Sequence, residues 1–276
     1  MTTLPSSLRD GANQKIRRGF ELGDELRRRM YIGWWEKHPV SMRLELRDQS
    51  TIELVMLVDP LPKIADWWAH ASDVFQNFRS ALDRFHYGVC EYYAPTGWAA
   101  RVYFPITKDS KAWAEWTKQH PMLPREIALR YLAFQPWHSG RSHLADLSRI
   151  NNLEKHSKGV AATVSLTGLK MTGTWKVEGR WSDDNLANLV KLSPGTLDIT
   201  SERQIVGTIA LPTRVVDIGD LTALPEFAFT PLIELDGNEI PILESIEKIS
   251  REVTWAIAYI SGLVASATSP PVSVNL

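Results

Sequence analysis

Residues 66–90 read DWWAHASDVFQNFRSALDRFHYGVC, and the spacing inside this stretch decides the fold class. Ala71, Phe75, Phe78, Leu82, Phe85 and Val89 step by four, three, four, three and four, the stripe of an amphipathic helix with one buried face. Such a stripe needs other elements to cover it. Upstream, residues 12–31 read as a helix, with Ile16, Phe20, Leu26 and Met30 near helical spacing. Arg27, Arg28 and Arg29 lie toward its C-terminal end, where cations suit the helix dipole. Between the two helices Val40, Met42, Leu44 and Leu46 alternate with polar residues, Asp48-Gln49-Ser50 supplies a turn, and residues 51–58 are β-branched and apolar. A hairpin is therefore expected there.

Downstream, residues 101–106 predict a short strand and residues 110–118, 125–134 and 142–153 predict helices, punctuated by Pro121, Pro124, Pro136 and Gly140. From Gly159 the texture changes. Residues 163–166, 174–177, 196–200, 205–211 and 227–235 are β-branched and separated by turn formers, as in a small antiparallel sheet. Ile242, Ile246, Ile249, Val253, Ile257, Ile260 and Val264 then mark a long final helix, with Pro241 near its start. The expected fold is α+β: a helical N-terminal half with an inserted β-hairpin, then a small antiparallel sheet and a long C-terminal helix. Residues 1–160 form the motif-bearing half and 161–276 the sheet plus final helix. Without a Gly, Ser or Pro linker between them, one integrated unit is expected.

Composition narrows the function classes. Hydrophobic residues make up 44% and charged residues 23% of 276, so the chain has the means to build a core. Residues 1–160 hold 23 Lys and Arg against 18 Asp and Glu, whereas the remainder hold 8 against 14. The mildly basic first half suits an anionic ligand such as RNA, or docking on the acidic second half. One cysteine, Cys90, excludes an intramolecular disulfide and points to a reducing, cytoplasmic compartment. No secretory signal or membrane span is read, and no membrane partner is expected. No phosphate-cradling glycine loop, nucleotide fingerprint, serine elbow or HExxH motif is present, so no cofactor is expected.

The chemistry-bearing residues cluster on the helix at 66–90. At 100° per residue, Arg79, Asp83, His86 and Cys90 fall along one flank of the stripe, and His70, Asn77 and Arg84 along the other. Arg79 and His86 lie nearly in line, two turns apart. A guanidinium and an imidazole so placed can hold a phosphodiester and move a proton. The structural alternative is a flanking Arg79–Asp83 ion pair and a half-buried His86.

Four short motifs give this stretch a resemblance. DVFQNFRSALDRFHY, YFPI at 103–106, FQPW at 134–137 and INNLEKHS at 150–157 resemble a family of uncharacterised bacterial and phage proteins, whose forms run N-L-R-S-A-L-D-H, F-P-I, Q-P-[YW] and N-x-D-K-H. The Arg-to-His spacing is also similar to that of HEPN domains, helical modules that in many cases cleave RNA without metal. That similarity implies Arg79 and His86 as catalytic residues facing one phosphodiester across paired protomers. Asn77, Asp83, Asn152, Glu154, Lys155 and His156 are then binding residues. Arg84 stands where the first family has a histidine after Asp.

Two functions stay open: metal-independent RNA binding or cleavage at Arg79 and His86, and a non-catalytic interaction module that associates, with a partner or a second copy as a homodimer, through the helix at 66–90. Whether the chain is an enzyme is not decided. His138, His143 and Asp146 match no ligand spacing, and one cysteine with scattered histidines yields no metal set, so chelation is expected to leave stability unchanged. Cys90 reads as a small core residue. Trp34-Trp35 and Trp67-Trp68 either close the core under the hairpin or stack on bases.

Overall fold

The computed structural model describes residues 3–94, 102–140, 143–153, 160–173, 175–177, 180–182, 190–192, 197–211, 214–219, 221–235 and 237–264. The chain forms two units, one of residues 1–27, 66–159 and 234–276, the other of residues 28–65 and 160–233. The architecture is α+β, with the hairpin, the antiparallel pairing and the long final helix that the sequence implies.

The helical unit is built from α1 (Ser7–Tyr31, whose last turn enters the other unit), α2 (Ile64–Tyr93), α3 (Ser110–Gln119), α4 (Arg125–Leu132), α5 (Pro136–Ser139), α6 (His143–Leu153) and α7 (Ile242–Ile260). Every residue of the α2 stripe is fully buried. Part of its cover is α1, which runs antiparallel to it: Leu8 lies by Gly88, Gly11 by Arg84 and Gly19 by Phe78, and His70 pairs with Glu25 at 3.6 Å. A Cβ at Gly19 would stand 2.6 Å from the Phe78 ring, so glycine is what allows the two helices this close. The last helix, α7, packs against α4 and α6, and Gly23 of α1 lies by its Ile246. Phe134 meets Trp255 edge-on, and the buried Arg130 donates to the Ile260 carbonyl at 2.8 Å, closing the C-terminal end of α7. The final helix thus belongs with the helices, although it follows the strands in sequence.

The second unit holds β1 (Val40–Asp48), β2 (Thr51–Val58), β3 (Val160–Thr172), β4 (Trp175–Val177), β5 (Arg180–Ser182), β6 (Val190–Leu192), β7 (Leu197–Asp198), β8 (Arg203–Ala210), β9 (Val215–Asp217) and most of β10 (Thr222–Leu235). After Gly237, at φ 79°, comes β11 (Asn238–Pro241). Among the described residues the strands form three sheets, in the orders β1-β2-β8-β6, β11-β10-β3-β7 and β5-β4-β9. The hairpin is no isolated insert, because β8 pairs antiparallel with β2 and makes it a central strand. Its residues Leu54, Val55 and Met56 are an unbroken apolar run and are all fully buried, so both faces of the strand are covered there. Trp34 is buried, donates to the Pro60 carbonyl at 2.7 Å and packs on Phe229, so it closes the core of this unit.

Of the strand expected at 101–106, residue 101 lies outside the described residues and the rest does not form one. Among the described residues there, 102–107 carry no regular secondary structure and join no sheet. Among the described residues no helix is long and apolar enough to cross a membrane.

Candidate functional site

A segment outside any helix or sheet must find partners for its backbone polar groups elsewhere. At 104–107 side chains supply them. The Phe104 N–H donates to Asp83 Oδ1 at 2.8 Å, and the Phe104 carbonyl accepts from Arg79 Nη2 at 3.1 Å. Arg79 and Asp83, one turn apart on α2, also pair with each other at 3.0 Å and 3.2 Å. From the other side comes Gln135, wholly buried just before α5. Its Nε2 donates to the Pro105 carbonyl at 3.0 Å, and its Oε1 accepts from Thr107 N and Oγ1 at 2.9 Å and 2.8 Å. Trp137 Nε1 then donates to Thr107 Oγ1 at 2.9 Å. Three of the four motifs, R-x3-D on the helix, FPI and QPW, therefore converge as a clamp on one stretch of backbone. Burial raises the Asp83 carboxyl's pKa, while Arg79 and the Phe104 N–H pull it back down.

One turn beyond Asp83 the same flank of α2 enters a closed aromatic box. His86 is fully buried, with the rings of Phe104, Trp116, His120 and Tyr131 at 5.2 to 6.3 Å from its own. Its Nδ1 lies 3.1 Å from Tyr131 Oη. Burial, then His120 and Arg79, push its pKa down to about 3, so the imidazole is neutral at physiological pH. Cys90 Sγ sits 3.6 Å from His86 Nε2, and burial raises its thiol to about 12. His120, capping the C-terminal end of α3 and stacked on Trp116, completes the group. One ligand atom from each of His86, Cys90 and His120 lies within 4.8 Å of the others.

The structure thus sorts the residues that the sequence singled out. Arg79 and His86 do share a flank of α2, but Arg79 is engaged by Asp83 and Phe104, and His86 has no solvent-facing surface. Asn77 is on the other flank, accepting from Lys15 at 3.4 Å and donating to the Asp73 carbonyl at 2.8 Å. Asn152 is exposed near the end of α6, while Glu154, Lys155 and His156 lie outside the described residues. His143 lies 3.8 Å from Asp146, and His138 packs against Trp137. No family model, curated protein or solved structure matches the chain. The sequence reading missed His120 and Tyr131. No spacing ties either to His86, and only the packing of α3 and α4 on α2 brings them together. The expectation that one cysteine and scattered histidines yield no ligand set rests on spacing alone; in space three of these residues are neighbours.

Proposed function

We propose that the chain is a non-catalytic interaction module, and that it associates with a second copy of itself through the polar ridge of α2. The observation that carries the first half is the enclosure of His86. A HEPN-like nuclease needs an imidazole that can reach a phosphodiester and exchange protons near neutral pH, whereas this one is sealed among rings and neutral. Arg79 likewise neutralises Asp83 and satisfies a backbone carbonyl.

The apolar stripe of α2 is used inside the fold, so association must use what α2 offers to solvent. Arg84, Tyr87 and Glu91 are exposed and follow at three and four residues, which sets them in one line. Their order is self-complementary. If two copies of α2 cross antiparallel near Tyr87, Arg84 meets Glu91 of the partner subunit at both ends, the reciprocity of a two-fold interface. Tyr87 in the middle supplies amphipathic contact area. A single free thiol suits the reducing cytoplasm, where we place the chain.

Sedimentation velocity from about 1 to 100 μM tests this, a range that corresponds to affinities of about −8 to −5.5 kcal/mol. The wild type should dimerise, Arg84→Glu should be monomeric, and Arg84→Glu with Glu91→Arg should dimerise again. A wild type that stays monomeric across the range overturns the association. Cleavage of a mixed single-stranded RNA pool in EDTA, lost in His86→Gln, would restore the nuclease reading.

A further inference from the structure

Two histidines whose ring N–H groups are already taken, beside a cysteine, form a recognisable donor set. His120 Nδ1 is 2.8 Å from the Trp116 carbonyl, which can only accept, so Nδ1 carries the proton and Nε2 keeps its lone pair. His86 Nδ1 faces Tyr131 Oη at 3.1 Å, and as a donor there it likewise leaves Nε2 free toward Cys90 Sγ. An imidazole fixed by an outer hydrogen bond and offering its other nitrogen is the usual arrangement of a metal-binding histidine. His86 and Cys90 are also four residues apart on one helix, a spacing at which two side chains reach one ion.

The distances agree. With Zn–S near 2.3 Å and Zn–N near 2.0–2.1 Å, a tetrahedral ion sets sulfur and nitrogen about 3.6 Å apart. His86 Nε2 and Cys90 Sγ stand at 3.6 Å already. The third donor must move in by at most about 1.5 Å, because the set lies within 4.8 Å and a tetrahedral edge is about 3.3–3.6 Å. His120 caps the end of the ten-residue helix α3, so a small shift of that helix end would bring it in.

We propose that His86, Cys90 and His120 bind a borderline-soft transition-metal cation, Zn²⁺, tying the end of α3 to α2. Sulfur with two imidazoles selects such an ion over Mg²⁺ or Ca²⁺, which prefer oxygen. On binding, the Cys90 S–H bond breaks, its proton goes to solvent and an Sγ–metal bond forms, with no change of oxidation state. Three protein ligands leave a fourth position for water or another small donor.

The test uses the full chain, stripped with EDTA and then titrated with Co²⁺ as a spectroscopic probe and with Zn²⁺. Co²⁺ should give intense tetrahedral d–d bands together with a thiolate-to-cobalt charge-transfer band, at one ion per chain, and Zn²⁺ should displace it. Zn²⁺ should also raise the thermal midpoint of the stripped protein, and EDTA should reverse the rise. Cys90→Ser should abolish the charge-transfer band. His120→Gln, with its fold checked by circular dichroism, should weaken Co²⁺ binding at least tenfold, while His143→Gln should leave it unchanged. Cobalt bands without the charge-transfer component, undiminished binding in His120→Gln, or a midpoint indifferent to Zn²⁺ would overturn the site.

Discussion

An imidazole enclosed by Phe104, Trp116, His120 and Tyr131 resists protonation far into acid, and that resistance has a cost for folding. The folded pKa is about 3, whereas the free side chain titrates near 6.5. Between those values the unfolded chain binds the extra proton, so stability is fully present above about pH 6.5 and is lost as pH falls toward 3. At pH 5 the loss from this one group is about 2 kcal/mol. Denaturant unfolding in EDTA at pH 7 and pH 5 should show it, and His86→Gln should be less acid-sensitive by roughly that amount. An identical pH slope in the variant would mean that His86 is not the buried group described. The sequence placed His86 correctly on the flank of the stripe. Whether a flank residue is wet or dry depends on what packs over it, and here the cover comes from α3, α4 and the 104–107 segment, which no local spacing reveals.

At the scale of elements, the same contrast separates what was legible from what was not. The α2 helix announced itself because its buried face repeats at helical period over six residues, and β1 and β2 did so by alternation and a turn. Residues 102–107 misled because aromatic and β-branched residues suit any extended backbone. Only the positions of Asp83, Arg79 and Gln135 show that side chains, not a neighbouring strand, satisfy it. The α1–α2 contact was equally hidden, since a helical glycine carries no signal of what approaches it. Gly19→Ala places a methyl 2.6 Å from the Phe78 ring and forces the helices apart. Chemical denaturation should show a loss of about 1–3 kcal/mol, beyond any gain in helix propensity. A neutral or stabilising outcome would mean that the two helices are less tightly packed than described.

For the whole molecule, one arrangement explains why the motif residues are where they are. The R-x3-D pair of α2 and the glutamine before α5 meet on the FPI backbone and bind three parts of the helical unit that are remote in sequence. In space the ridge holds the 104–107 backbone at Arg79 and Asp83 and is enclosed by aromatic rings at His86. The measurement that tests this most directly is the thermal midpoint of Arg79→Ala, taken beside wild type in EDTA. Removing the guanidinium leaves the Phe104 carbonyl without its donor and a part-buried Asp83 without its counter-charge. The clamp predicts a loss of about 2–4 kcal/mol, on the order of 5–10 °C for a chain of this size. A midpoint within about 1 °C of wild type, the sign of an exposed arginine that carries little stability, would contradict it.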